Sequence, residues 1–82
     1  MNSRLFLKVK NDEVVVYMYS MDRSDAPSDG EVQYSLKTGE RKILKTATGD
    51  DNGWHAEWLV LRHLRRIIFD ENCPEKHFLA IG

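Results

Sequence analysis

Eighty-two residues suffice for one domain spanning 1–82, and a chain of this length buries only about 60 to 65% of the surface its unfolded form exposes, so stability rests on a small core. With 41% hydrophobic and 30% charged residues, and 12 basic against 13 acidic side chains for a net charge of −1, no overall field draws the chain to nucleic acid or to a membrane. The amino-terminal Met-Asn-Ser-Arg runs straight into a strand-like segment without a long apolar stretch or a small-residue cleavage pattern, and the single cysteine, Cys73, has no internal disulfide partner. Both features predict a cytosolic, reducing location without membrane contact.

Residues 4 to 10 alternate Leu5, Leu7 and Val9 with Arg4, Lys8 and Lys10, the period of two of a strand with one buried face; only Phe6 breaks it. Asn11-Asp12 suits a tight turn into residues 13 to 19, which are β-branched and aromatic enough to predict a strand covered on both faces. The Ser, Asp, Pro and Gly of residues 20 to 30 predict the longest and most mobile loop. A third strand follows over 31 to 37, with Val32, Tyr34 and Leu36 on one face, and after Thr38-Gly39-Glu40 a basic fourth strand over 41 to 46 suits a sheet edge.

Asp50-Asp51-Asn52-Gly53 provides capping side chains and negative charge where a helix begins, predicted from Trp54 to Phe69. Pro74 bars its continuation, and Phe78 to Ile81 reads as a last short strand. The order ββββαβ predicts an α+β fold: a mostly antiparallel sheet of four or five strands with one amphipathic helix packed on it. Steps of 100° put Trp54, Ala56, Trp58, Val60, Leu61, Leu64, Ile67 and Ile68 on the arc that covers the sheet, with His55, Arg62, His63 and Arg66 opposite and Arg65 beside the tryptophans. Glu57 falls inside the apolar arc, where burial disfavours its charged form.

His55-Ala56-Glu57 thus opens a helix that follows a hairpin and precedes a strand. Over residues 31 to 82 this arrangement resembles the first half of the zinc-dependent cytidine and nucleobase deaminases, whose two half-motifs are His-x-Glu and Pro-Cys-x-x-Cys. The resemblance implies that His55 is a zinc ligand and Glu57 the catalytic proton shuttle in hydrolytic deamination of a cytosine- or nucleobase-type substrate. A helix start keeps an imidazole neutral for metal binding, and an apolar setting suits a general acid/base, so the residue types fit that chemistry. The second half-motif is missing. Cys73-Pro74 has the reverse order, precedes the last strand and lacks a second cysteine. A half-domain of this kind is inactive alone and takes zinc only with ligands from outside the chain, as from a complementary polypeptide supplying cysteines.

A second metal reading joins Cys73 and His77 to His55, with Glu75 or Glu57 as the fourth ligand that a structural zinc site needs. The non-catalytic alternative is a small binding module, an inhibitor or adaptor, that presents the basic helix side (Arg62, His63, Arg65, Arg66) or the 20 to 30 loop to an acidic protein surface or to the phosphates of nucleic acid. In that reading Glu57 is an early-helix acid paired with a strand lysine such as Lys42 or Lys45, and His55 is solvated.

Overall fold

The computed structural model describes residues 2–80 and shows the α+β architecture: five strands in one antiparallel sheet with one helix packed on it. β1 (Asn2–Lys10), β2 (Val14–Tyr19), β3 (Gly30–Ser35) and β4 (Arg41–Lys45) form a meander; the helical segment then carries the chain back, and β5 (Lys76–Ala80) joins the far edge beside β1, for an order of β4-β3-β2-β1-β5. The β1–β2 turn closes where the Asn11 side-chain oxygen accepts the Glu13 and Val14 amides at 2.8 and 2.9 Å, a local bond that asparagine offers at little entropic cost. Ser3 and Leu5 on β1 and Val15, Tyr17 and Tyr19 on β2 are buried under the helix, as are Val32 and Tyr34 on β3 and Leu79 on β5.

No second helix or sheet layer covers the far face of β2 among the described residues, but Val16 on that face is buried and Val14 and Met18 are half-buried, so this central strand is covered on both sides as predicted. The loop after β2 is tied down more than its composition predicts. Arg4 donates from its guanidinium to the backbone carbonyls of Ser24 and Ala26, and Asp29 accepts from the Thr48 amide and hydroxyl. The Thr48 hydroxyl holds the Asp29 carboxyl below its ordinary range, because the bond favours the charged form.

Helical structure spans 54 to 69, as predicted, but it is not uniform. Ala56–Val60 is a π-helical turn, in which the Leu61 amide reaches back five residues to the Ala56 carbonyl, and α1 (Leu61–Phe69) follows. Downstream of the π turn the predicted buried positions hold, with Leu64, Ile67 and Ile68 in the core. Upstream, the extra residue in the turn rotates the chain by about 100°, one α-helical position. His55 and Leu59 therefore go inward where Trp54 and Trp58 were expected, and Glu57 faces solvent. The helix ends in two residues of left-handed backbone, Asn72 and Cys73, with the Cys73 amide bonded to the Ile67 carbonyl at 3.1 Å. Among the described residues no helix is long and apolar enough to cross a membrane.

Candidate functional site

The helix entrance is organised by Asp50, which is itself buried. One carboxylate oxygen accepts the His55 amide at 2.9 Å; the other accepts the Ala56 amide at 3.1 Å and the Tyr19 hydroxyl at 2.6 Å. That hydroxyl in turn accepts the Ala47 amide at 3.0 Å. Two backbone donors that a helix start leaves without partners are thus satisfied by one side chain. Burial, and then the bond to Asp50, push the Tyr19 phenol well above its ordinary range, since both oppose the phenolate.

His55 lies in this cluster at 4% exposure, its ring stacked on Tyr19 with centroids 6.3 Å apart and planes 18° from parallel. It is not the solvated residue of the non-catalytic reading. Its Nε2 has neither solvent nor a hydrogen-bond partner, an arrangement that costs about 1–3 kcal/mol for a buried polar group. Glu57 is exposed rather than held in the apolar arc, and it lines a surface groove with Arg41, Trp58, Leu61 and Arg62. The two residues singled out by the half-motif accordingly occupy different settings, one closed around Tyr19 and one open to water. Among the described residues Glu57 forms no ion pair with a lysine.

Cys73, His77 and His55 do not gather either. The Cys73 thiol is buried 3.6 Å from the Tyr17 hydroxyl, which also donates to the Pro74 carbonyl, while His77 faces Glu71 at 3.3 Å. Among the described residues no group of three His, Cys, Asp or Glu side chains stands close enough to hold a metal ion.

What does gather is the outer helix surface. Trp54 and Trp58 are 54% and 46% exposed and lean on each other with ring centroids 6.3 Å apart, and the Arg62 guanidinium sits 4.7 Å over the Trp58 ring. Further along, Arg62, Arg65 and Arg66 line a groove with Arg41, Phe69 and Asp70. Arg41 reaches it from β4, anchored by a 3.0 Å bond to the Leu61 carbonyl and lying over Tyr34, against which the exposed Phe69 ring packs edge-on. Of the basic residues expected on this side, Arg62, Arg65 and Arg66 are exposed, with Arg66 paired to Glu71. His63 is not; it is half-buried and its Nδ1 turns back to the Leu59 carbonyl at 2.8 Å.

Comparison with known proteins finds no matching family model, curated protein or solved structure. The chemistry of the exposed residues therefore carries the functional reading. Trp54, Trp58 and Arg41 were missed as surface residues, although Trp54, Trp58 and Arg62 recur every four positions, which is a helical stripe in its own right. Arg41 carried no comparable signal, since only the β3–β4 hairpin brings it to the helix.

Proposed function

We propose that this domain is a non-enzymatic binding module that docks an acidic segment of another protein, itself carrying apolar anchors, on the outer face of its helix. The carrying observation is the pair of outward-turned tryptophans with Arg62 over one of them. Tryptophan and arginine are the residue types that contribute most to protein interfaces, because each combines large contact area with directed polar groups. A π turn costs backbone regularity, and here it directs two large rings into water that an uninterrupted α-helix would direct toward the sheet. Arg41, Arg62 and Arg65 add a fork-shaped cationic rim that matches carboxylates, which selects an acidic partner.

The tryptophans also provide the test, since both lie in the proposed contact. Titration with a peptide alternating Asp/Glu with Leu/Phe should change their fluorescence saturably and less strongly as salt rises, and Trp58→Ala or Arg62→Ala should weaken the binding. An equal response to a peptide carrying Lys in place of Asp/Glu, or no response to either, overturns the reading.

A deaminase-like half-site completed by a second chain is the second reading, and the unpartnered Nε2 of His55 is what favours it. Against it stands the exposure of Glu57, since the mechanism needs the ligand and the proton shuttle to converge on one water. Calorimetric titration of zinc into the chain mixed with a Pro-Cys-x-x-Cys peptide, which supplies the ligands the half-site lacks, separates the two. Stoichiometric binding lost in His55→Ala supports the metal site, whereas its absence leaves the docking module.

A further inference from the structure

The sheet face turned away from the helix has no second layer among the described residues, and strand register fixes which side chains stand on it. Leu5 and Leu79 are buried on the helix side, so their strand neighbours Arg4, Phe6 and Phe78 lie on the open side. Phe6 pairs with Lys76 on one side and Met18 on the other, Met18 continues to Glu31 and Lys45, and Arg4 pairs with Phe78. Phe6 and Phe78 are therefore diagonal neighbours on adjacent antiparallel strands, about 7–8 Å apart along the backbone. Arg4 and Lys76 alternate with them, and all four line one shallow concavity.

Charge on the strands of this face is one-sided. Arg4, Lys8, Lys42, Lys45 and Lys76 outnumber the Glu31 carboxylate, which Lys8 meets at 2.8 Å, while at the loop end Asp22 lines a concavity with Arg4 and Phe78 and Asp29 stands near Lys45. The near-neutral total for the chain conceals this separation, because most of the acidic residues lie in the turns and around the helix. Phe78 is 61% exposed while Phe6 is half-buried, so the aromatic surface is two separate side chains rather than a broad apolar patch.

We infer that this open face binds single-stranded nucleic acid, with unpaired bases stacking on Phe6 and Phe78 and the sugar-phosphate strand running past Lys76 and the flanking lysines, while the Arg4 guanidinium, held by the Ser24 and Ala26 carbonyls, adds positive charge to the face. The ligand class follows from the interleaving: rings without cations favour apolar partners, cations without rings adsorb any polyanion, and alternation of the two on an open sheet matches a strand whose bases and phosphates also alternate. A lipid surface fits less well, because one protruding phenylalanine offers little area to insert between acyl chains. The inference is independent of the helix face, which lies on the other side of the molecule.

Fluorescence anisotropy of a short labelled oligouridine provides the test. Binding should be saturable at low salt and weaken as salt rises. Phe78→Ala should lower affinity about fivefold or more, the low end for one base stacked on an aromatic ring. Phe6→Leu, which retains apolar packing at the half-buried position, should lower it in the same direction. Lys76→Gln should weaken binding and reduce the salt slope by about 0.7, the contribution of one phosphate contact on a single strand. Lys37→Gln, in the distant β3–β4 hairpin, controls for loss of charge alone and should leave affinity unchanged. Circular dichroism of each variant establishes that it is folded. The inference is overturned by absence of saturable binding, by phenylalanine variants that bind like the parent, by equal affinity for a duplex of the same length, or by tighter binding to phosphatidylserine vesicles than to the oligonucleotide.

Discussion

Asp50→Ala removes the acceptor for three donors at once, two helix-entrance amides and the Tyr19 hydroxyl, all in a buried setting. Loss of the cap costs about 0.5–2 kcal/mol, and leaving a buried hydroxyl unsatisfied costs about 1–3 kcal/mol. The sum, about 2–5 kcal/mol, is a large share of the roughly 4–12 kcal/mol expected for a domain of this size. Urea denaturation followed by circular dichroism should show the midpoint fall accordingly. Asp50→Asn retains one acceptor oxygen but points an amide donor at donors, so it should fall between parent and Asp50→Ala. Tyr19→Phe leaves the Ala47 amide without its acceptor; combined with Asp50→Asn it should show a coupling of about 0.5–3 kcal/mol, the range for groups in one hydrogen-bond network. A loss below about 1 kcal/mol in Asp50→Ala, together with additive double-variant energies, would refute the claim that this carboxylate organises the helix entrance.

The π turn reverses an expectation about the core: Leu59→Ala should cost about 2–5 kcal/mol because the side chain is fully buried, and Leu61→Ala, half-buried, clearly less. Equal or opposite denaturation shifts would remove the register assigned to the π turn. Gly30→Ala should destabilise by about 1–3 kcal/mol, since an added methyl would stand 2.2 Å from a Tyr19 ring carbon and that ring is pinned through Asp50; an unchanged midpoint would show that the ring can yield. Tyr17 and Tyr19 both have phenol values raised in the folded state by burial, so the folded chain holds their protons at a pH where the unfolded chain releases them. This stabilisation is present below the unfolded value of 10.0 and lost as pH rises through the folded values, so urea midpoints should drop above pH 10.0, less steeply in Tyr19→Phe.

Strands and helix were legible because each carried its own period. Leu5 and its alternating neighbours marked β1, Asn11 marked the first turn, and Asp50 marked the helix entrance, all through local chemistry that tertiary structure did not override. The site was less legible because its placement depends on one hydrogen-bond shift. A wheel drawn at 100° per residue assumes a uniform helix, and the five-residue reach from Leu61 to Ala56 breaks that assumption between Leu64, placed correctly, and His55, Glu57 and Trp58, placed wrongly. Residue types do not announce a π turn. A hint lay in the apolar pattern itself, since the spacing of Ala56, Leu59 and Val60 is offset by one from that of Leu64, Ile67 and Ile68.

The same geometry explains how so small a core leaves two unlike surfaces. One helix can cover only one side of a five-stranded sheet, so the far side must stay soluble by alternating lysine and arginine with its few apolar side chains. The helix has the converse problem: its inward stripe is filled by Ala56, Leu59, Val60, Leu64, Ile67 and Ile68, leaving no inward position for either tryptophan. Fold stability alone does not require large rings there, because exposed helix positions are served better by alanine, glutamate or lysine. Trp54, Trp58 and Phe78 are thus the residues least explained by folding, and they stand on opposite sides of the molecule, the tryptophans beside Arg62 and Phe78 beside Arg4, whose guanidinium also ties down the loop after β2. Two separately removable ring-and-cation clusters predict two separable binding activities, so loss of one by substitution should leave the other intact.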